Sequence, residues 1–286
     1  MNSPTSNRSC ELPARVMRPE SDASTCGEPH YAIATLVSNR TQYDDMRASF
    51  KAHGFADGFS EYLFIDNTGS RQTDAYRGLN ALLNAARAPI VVLCHQDVRL
   101  LSDGRHALDE RLAELTRIDP DWAVAGNAGG VAPGQLALRI SDPHGRDVRV
   151  GDLPARVATL DENFIIVRRD ARIGFSHDLS GFHFYGADIC LHASQMGYST
   201  YVIDFHLEHL SAGKKGTDFG SMELAFQSKW DRALSARWLQ TTCALMRLSG
   251  APGANLISRL TSKPVSKIVR RLPSARGWSR TRQSPA

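Results

Sequence analysis

The sequence predicts an α/β fold whose central sheet is mostly parallel and flanked by helices. Three apolar segments suit buried strands, namely YAIATLVS, EYLFIDN and APIVVLCHQDV. Between them lie two predicted helices, a polar segment around TQYDDMRASFKAH and the segment DAYRGLNALLNAA, in which apolar residues recur at the spacing of a helix. Apolar strands that alternate with amphipathic helices are typical of parallel sheets, because the helices then cover both faces of the sheet.

The elements that follow the third strand continue this pattern with one interruption. RHALDERLAELTRI predicts a further helix, and FYGADICLHASQMG predicts one that leads into the strand STYVIDFHLEHL. Between DWAVAGNAGG and ENFIIVRRD, glycine and proline break up short β-prone runs, which predicts an antiparallel excursion or a set of loops. The GNAGG stretch (126–130) requires either close backbone approach or positive φ. Residues 217–248 predict C-terminal helices, MELAFQSKW followed by DRALSARWLQTTCALM.

The chain is expected to have three parts. Residues 1–29 are rich in Ser, Pro, Asn and Glu without hydrophobic periodicity and are interpreted as a flexible leader. Residues 30–248 form the predicted domain, and 249–286 a basic, partly disordered tail. From Arg259 onward the tail carries eight Lys or Arg and no Asp or Glu, which suits either a solvated tail or peripheral contact with an anionic membrane. Trp278 is its only aromatic residue after that point, so nucleic-acid binding is not expected.

The composition excludes several classes of protein. The net charge is only +4, and the five cysteines are scattered without a CxxC pair, which argues against a disulfide framework and a structural zinc site. No apolar run approaches the roughly 20 residues of a membrane-spanning helix. The N-terminal stretch lacks the layout of a signal peptide. We therefore expect a cytoplasmic protein, with any membrane contact peripheral and at the inner face.

Polar clusters follow the first three predicted strands, at residues 38–40, 66–70 and 95–97. The carboxyl ends of parallel strands meet at one edge of a sheet, and ligands bind there. Neither GxGxxG after the first strand nor GxxxxGK[ST] occurs, so the common phosphate-binding loops are excluded. A bound nucleotide would then need a divalent metal held by a carboxylate to meet its charge.

The motifs at these positions resemble a known family. FIDNTGS, AYRGLN, HQDV, TLDENF (159–164), FHFYGADICLHA (182–193) and FHLEHLSAG (205–213) are similar, in order and spacing, to the nucleotide-sugar half of family 2 glycosyltransferases of the GT-A fold. The nearest resemblance is to the branch called streptomycin-biosynthesis-type, in which HQD stands in place of DxD. It covers about residues 31 to 240.

The resemblance implies a site for a nucleotide-sugar donor. Asp66 would contact the nucleobase or its ribose, and Asn39 would line the same pocket. Asn67 and Arg77 would belong to the same donor site. His95 stands where the first Asp of DxD would be, so it would be either a metal ligand or a ribose contact.

The resemblance also implies a metal and a base. Asp97 matches the last carboxylate of DxD and would bind Mn²⁺ or Mg²⁺. His209 would be a metal or diphosphate ligand, with His206 as the alternative. Asp188 would deprotonate the acceptor hydroxyl, although Ala187 stands where the family has Glu.

Structural interpretations of the same residues stay open. Asp97 at a strand end suits a cap or turn as well as a metal. Asp66 in IDNTGS suits an Asx turn, and Asp188 suits a helix N-terminus. Trp122, Phe182 and Tyr185 suit either a platform for a sugar ring or the core.

The sequence thus predicts a metal-dependent, inverting glycosyltransferase. It would move a sugar to a hydroxyl of a glycan, lipid-linked or small-molecule acceptor. The alternatives are a sugar nucleotidyltransferase, which usually needs a basic Gly-rich loop after the first strand, and a catalytically inactive nucleotide- or sugar-binding protein.

Overall fold

The computed structural model describes residues 14–19, 28–213, 216–242 and 245–250. The chain divides into two compact units between Ala225 and Phe226, inside the stretch that the sequence predicts as one domain. Most of the predicted leader and residues 251–286 of the predicted tail lie outside the described residues.

The first unit contains fourteen described strands and four complete helices. The strands are β1 (Val16–Met17), β2 (Tyr31–Val37), β3 (Ser60–Asp66), β4 (Ile90–Cys94), β5 (Val98–Leu100), β6 (Trp122–Gly126), β7 (Ala128–Ala132), β8 (Gln135–Asp142), β9 (Gly145–Val150), β10 (Ala155–Arg156), β11 (Thr159–Leu160), β12 (Phe164–Arg168), β13 (Ser199–Val202) and β14 (Leu207–His209). The helices are α1 (Arg40–Ala52), α2 (Ala75–Ala85), α3 (Arg105–Ile118) and α4 (Tyr185–Gln195), with a short 3₁₀ turn at Arg169–Ala171.

The central sheet has the strand order β1-β3-β2-β4-β12-β6-β13-β10. Strands β3, β2, β4, β6 and β13 run in one direction, and β1, β12 and β10 run in the other. The predicted α/β class is therefore confirmed, and five of the eight strands share one direction, although four of the seven neighbouring pairs are antiparallel. Val16–Met17, inside the predicted leader, adds an antiparallel edge strand beside β3.

Alternate residues of the central strands pack on opposite faces of the sheet. In β2, Ala32 and Ala34 belong to the apolar cluster beneath α2 and α4, whereas Tyr31 and Ile33 belong to the cluster beneath α1 and α3. Because successive side chains of a strand point to opposite faces, a strand covered on both sides must be apolar throughout. This explains why YAIATLV shows no polar alternation.

The middle of the chain forms a second, largely antiparallel sheet of order β11-β7-β8-β14-β5, with β9 paired to β8. Of the two interpretations of this stretch, the antiparallel excursion is correct. Close approach explains its glycines: a Cβ on Gly129 would clash with the carbonyl oxygen of Thr159, and one on Gly126 would lie 2.9 Å from that of Phe164. Neither glycine is among those with positive φ.

Helix α5 (Phe219–Leu234) contains the boundary between the two units. Beyond it the second unit has a hairpin, β15 (Arg237–Gln240) with β16 (Leu245–Leu248), paired from Arg237 with Leu248 to Gln240 with Leu245. The predicted second C-terminal helix is therefore wrong. Short apolar runs do not distinguish a helix from a strand by periodicity, so cross-strand pairing decided the outcome. No helix in the described part of the chain is long and apolar enough to cross a membrane.

Replacing Gly129 by alanine is expected to destabilise the protein by about 2 kcal/mol, because the added methyl group would overlap backbone that cannot rotate away. Urea unfolding measures the change. Gly69→Ala is the matched control, since a Cβ there meets no atom within 4 Å and its φ is not positive. Equal midpoints for the two variants would contradict the close-approach explanation.

Candidate functional site

The carboxyl ends of β2, β3 and β4 lie side by side, because β2 pairs in parallel with both neighbours. Gln96 joins two of these ends. Its side-chain oxygen accepts from the backbone N–H groups of Ser38 and Asn39, at 2.8 and 2.9 Å, and its amide nitrogen donates to the Ser38 hydroxyl at 2.9 Å. The predicted convergence of polar clusters at this edge is present in the structure.

His95, Asp97 and His209 form a cluster at this edge. Antiparallel pairing of β14 with β5 places His209 opposite Val98, and so beside Asp97. The His209 Nε2 atom lies 3.3 Å from His95 Nδ1 and 3.4 Å from an Asp97 carboxylate oxygen. Each residue offers one ligand atom, and the three atoms lie within 4.8 Å of one another.

The hydroxyl of Tyr185 orients the His95 ring. It donates to the backbone carbonyl of Glu162 at 3.3 Å and lies 2.8 Å from His95 Nε2. With its own hydrogen used, the hydroxyl accepts from Nε2–H, so the Nδ1 atom carries the lone pair that faces the cluster. Such outer hydrogen bonds commonly fix the tautomer of metal-binding histidines.

The His209 ring nitrogen has two acceptors as neighbours. His209 Nε2 carries at most one hydrogen, yet both His95 Nδ1 and the Asp97 carboxylate lie within 3.4 Å of it. A cation between the three donors would satisfy this arrangement. Two atoms each about 2.1 Å from one ion lie roughly 3.0 to 3.5 Å apart, which matches the two separations measured from His209 Nε2.

The charges of the cluster support one another. Burial alone would raise the pKa of Asp97, but the hydrogen bond and charge of His209, with help from Ser211 and His95, hold that pKa well below its usual value. Burial would lower the pKa of His209, and Asp97 raises it instead, so a metal ion at this site would have to displace a proton from His209. His95 has a lowered pKa because of burial and the neighbouring charge of His209, so its ring is held neutral, as a metal ligand must be.

A cavity of about 360 Å³ adjoins the cluster. Apolar side chains from β2, α2 and β4 form its floor, and its polar wall includes Ser38, Asn67, Gln96, His95, Asp97 and Glu162. Cavities of this size, mostly apolar with a few convergent polar groups, are typical of small-molecule sites.

The predicted donor contacts are only partly brought to this cavity. Asn67 lines it and is held by Thr73, through the side-chain nitrogen at 2.8 Å and the side-chain oxygen at 2.9 Å. Asn39 instead caps α1, where its side chain accepts from Gln42. Arg77 is half-buried in α2 and is not among the residues that line the cavity.

Asp66 forms the Asx turn that the sequence left open as an alternative. It accepts from the backbone N–H and the hydroxyl of Thr68, at 3.0 and 2.7 Å, and pairs with Arg40 at 2.6 Å. The hydrogen bonds from Thr68 and the contact with Arg40 lower the pKa of Asp66 to about 2. Its side chain is exposed at the end of β3 and lies outside the cavity wall.

Asp188 does not reach the cavity. Its side chain is completely buried in the first turn of α4, where the Ser176 backbone N–H and hydroxyl donate to its two oxygens at 2.8 and 2.6 Å. The carboxylate therefore does not face the cavity, and its contacts give no support to the expected role of Asp188 as the base. The alternative that Asp188 stabilises the start of its helix agrees with these contacts.

The two histidines that the resemblance offers as ligands differ in their contacts. His206 Nε2 lies 2.9 Å from the Ser141 hydroxyl, and its backbone N–H donates to Asp103. His206 thus links the second sheet to the β5–α3 loop, while His209 lies in the cluster.

Sequence reasoning did not find the roles of two residues beside the cavity, Tyr185 and Glu162. Tyr185 was weighed only as a sugar platform or core residue, and Glu162 was only part of the motif TLDENF. Glu162 lines the cavity, and burial raises its pKa to about 8. Neither role has a local sequence signal, because both depend on contacts between α4 and the β11–β12 loop.

Comparisons with known proteins give one relative of high coverage. The chain is 34% identical over 226 residues to the protein named ATP synthase subunits region ORF 6 of Fuscovulum blasticum. The aligned residues cover 77% of this chain and 91% of that protein. No family model matches the chain.

Two solved structures are similar at low identity. GalNAc-T7 with UDP, GalNAc and Mn²⁺ is 8% identical, over 68% of this chain and 47% of that one, with a TM-score of 0.44. The mannosyltransferase PcManGT from Pyrobaculum calidifontis, in complex with GDP-Man and Mn²⁺, is 13% identical, over 78% and 68%, with a TM-score of 0.46. At this distance neither likeness carries an argument about this chain's chemistry.

Tyr185→Phe is expected to weaken Mn²⁺ binding by roughly ten-fold, because the His95 ring loses the hydroxyl that fixes its orientation. Isothermal titration calorimetry measures the affinity. Tyr201→Phe is the control: it loses a comparable hydrogen bond, to Asp119 at 3.0 Å, away from the cluster. An unchanged affinity in Tyr185→Phe would show that this hydroxyl does not support a metal ligand.

Proposed function

The chain belongs to the family of the ATP synthase subunits region ORF 6 protein, and we propose that it is a metal-dependent glycosyltransferase of the GT-A fold. It would transfer a sugar, with inversion, from a nucleotide-sugar donor to a hydroxyl of a glycan, lipid-linked or small-molecule acceptor. One observation carries the proposal: the metal-binding arrangement of His95, Asp97 and His209 beside a cavity at the carboxyl edge of the parallel strands.

The location of the cluster supports this function over a structural metal site. Ligands of open α/β sheets bind at the carboxyl ends of the strands, and this cluster follows β4 directly. A structural site would be closed by four protein ligands, whereas here there are three donors, two of which, His95 and Asp97, line the cavity. The remaining positions on an ion would be open to the oxygens of a diphosphate.

The need for a metal follows from the charges nearby. The chain has no glycine-rich phosphate loop of the common types. Arg40 and Arg99, which lie near the same strand ends, form ion pairs with Asp66 and Asp45. When bound, the ion supplies a Lewis acid that neutralises the departing diphosphate.

The donor set favours Mn²⁺ over Mg²⁺. Mg²⁺ prefers oxygen ligands, whereas imidazole nitrogen suits transition metals. Two imidazoles and one carboxylate therefore fit Mn²⁺ better, and they also fit zinc or iron(II), which belong in any metal comparison.

The nucleoside is proposed to lie in the cavity, with Asn67 and Ser38 as polar contacts. Asn39 and Asp66 follow the same two strands but lie outside the cavity wall, so their contacts would be confined to its rim. We propose no role for Arg77 in binding the donor.

Stabilisation by metal and nucleotide together tests the proposal. The melting temperature of the full chain should rise when Mn²⁺ is added with UDP or GDP, and rise less with Mg²⁺, because binding to the folded state stabilises it. Asp97→Asn and His209→Gln should lose this rise, and Mn²⁺-dependent hydrolysis of UDP- or GDP-sugars should fall at least 100-fold.

Asp170→Asn is the matched control, since that carboxylate pairs with Arg168 beyond β12 and does not line the cavity. The rise in melting temperature and the rate of hydrolysis of this variant should equal those of the wild type. No stabilisation by any nucleoside diphosphate with any divalent ion would refute the proposal, and binding without turnover would favour the inactive binding protein.

We also propose that the basic tail brings the enzyme to an anionic membrane. The support is the sequence alone, because residues 251–286 lie outside the described part of the chain. The full chain should sediment with phosphatidylserine vesicles but not with phosphatidylcholine vesicles, and 0.5 M salt should release it. Deleting residues 262–286 should abolish sedimentation, and an unchanged sedimented fraction would contradict the role of the tail.

A further inference from the structure

We infer that Glu162 is the catalytic base of this site, the role that the sequence assigned to Asp188. The inference rests on the proposed function. In an inverting transfer, the acceptor oxygen forms a bond to the anomeric carbon while the bond from that carbon to the diphosphate oxygen breaks. The diphosphate leaves with the electron pair, and the hydroxyl proton passes to a base of the enzyme.

The cavity offers two carboxylates for this task, Asp97 and Glu162. Asp97 is committed to the cluster, because His209 lies 3.4 Å from it and holds it ionised. Glu162 belongs to the loop between β11 and β12 and is not part of the cluster. Among the described residues that line this cavity, it is the carboxylate left to accept a proton.

Backbone contacts hold Glu162 close to the cluster. The next residue, Asn163, accepts from the His95 backbone N–H at 2.9 Å, and Phe164 pairs with Cys94. The Glu162 carbonyl accepts from the Tyr185 hydroxyl, which in turn contacts the His95 ring. A group on this loop therefore faces the same space as the metal ligands.

Gly186 leaves the room that the Glu162 side chain occupies. A Cβ at Gly186 would lie 3.2 Å from the Glu162 Cγ atom and would clash with the carbonyl oxygen of Leu160. The Gly186 backbone N–H instead points to the carboxylate, at 3.4 Å. The start of α4 thus positions the Glu162 carboxyl group.

The surroundings of Glu162 suit a base that works near neutral pH. Burial raises its pKa to about 8, and the charge of Asp161 adds to this, while backbone N–H groups at the start of α4 oppose it. The other titratable groups that face it are Tyr76 and Tyr185, whose own raised pKa values, caused mainly by burial, keep them neutral. Asp97 has a lowered pKa and Glu162 a raised one, and two carboxyl groups whose pKa values differ in this way are typical of sites where each has a separate role. Here those roles would be metal binding and proton transfer.

A purely structural role is the competing explanation. Helix α4 begins after Phe184, which is in the left-handed conformation and makes no side-chain capping bond, so Glu162 also serves as an acceptor for the first turn. Glu162→Gln separates the two roles, because glutamine keeps an acceptor oxygen but cannot take the proton.

The test measures Mn²⁺-dependent hydrolysis of a panel of UDP-, GDP- and dTDP-sugars, with water as the acceptor. Glu162→Gln should lower kcat at least 100-fold, with the KM for the donor and the stabilisation by Mn²⁺ and nucleoside diphosphate unchanged within about two-fold. The wild-type rate should rise with pH to a plateau above about 8, and the residual rate of the variant should not. Formate should restore part of the activity of Glu162→Ala.

Two further variants complete the comparison. Glu110→Gln, on the exposed face of α3, should behave as the wild type. Asp188→Asn should lower the melting temperature through its lost contacts with Ser176 but keep the pH dependence of the wild type. The reverse pattern, with activity lost in a folded Asp188→Asn and kept in Glu162→Gln, would overturn the inference.

The outcomes for the two proposals are distinct. Wild-type turnover that Glu162→Gln retains at full rate and with the same pH dependence overturns the role of Glu162 and leaves the glycosyltransferase intact. A parallel fall of kcat and melting temperature, with an unshifted pH profile and no rescue by formate, identifies a helix cap only. No nucleotide binding by the wild type refutes both.

The stability of the metal-free protein gives an independent readout of the same carboxyl group. The folded protein holds the Glu162 proton up to a pH of about 8, whereas an ordinary glutamate titrates near 4.5. The folded state binds more protons between these values, so wild-type stability should fall relative to Glu162→Gln as pH rises through this window, and below about 4 the difference should no longer change with pH. If the stability difference between the wild type and Glu162→Gln is constant from pH 4 to 9 in EDTA, then Glu162 is ionised like a surface residue.

Discussion

The parallel pairing of β2 with β3 and β4 is the constraint on which the rest of the structure depends. Parallel pairing needs crossover helices, which bury both faces of the sheet and leave its carboxyl edge as the place where polar residues can gather. Gln96 ties two of the three strand ends there by accepting from Ser38 and Asn39. The side chains on either side of Gln96, His95 and Asp97, are thereby aimed at one cavity rather than at solvent.

Burying polar groups at that edge is tolerable because they satisfy one another. His95, Tyr185 and the Glu162 carbonyl form a chain of hydrogen bonds, while Asp97 and His209 stabilise each other's charged forms. The same neighbourhood keeps the Glu162 carboxyl protonated to a higher pH than an ordinary glutamate. Different surroundings thus give two carboxyl groups of one cavity different pKa values. Asp97 is suited to binding a cation, and Glu162 is suited to accepting a proton.

Local patterns predicted much of the first unit and little of the site's detail. The strands and helices from β2 to α3 follow from apolar runs and helical spacing, and Asp97 and His209 from motif resemblance. Asn39 and Asp66 were assigned to the donor, yet they satisfy backbone N–H groups at a helix start and a turn. Such caps have the same residue types as ligand contacts, so sequence cannot separate the two uses. The hairpin of β15 and β16 was missed because pairing, not periodicity, decides between a helix and a hairpin in a short apolar segment.

The sequence by itself determined the α/β class, the order of the strands along the chain and the polar residues at their carboxyl ends, because these follow from local periodicity and from the chemistry of each residue type. Only the tertiary structure decided that His209 meets Asp97, that Tyr185 orients His95, that Asp188 is closed off and that Glu162 is open to the cavity. These outcomes depend on contacts between residues far apart in the chain, and on burial, which changes what a carboxyl group does without changing its identity.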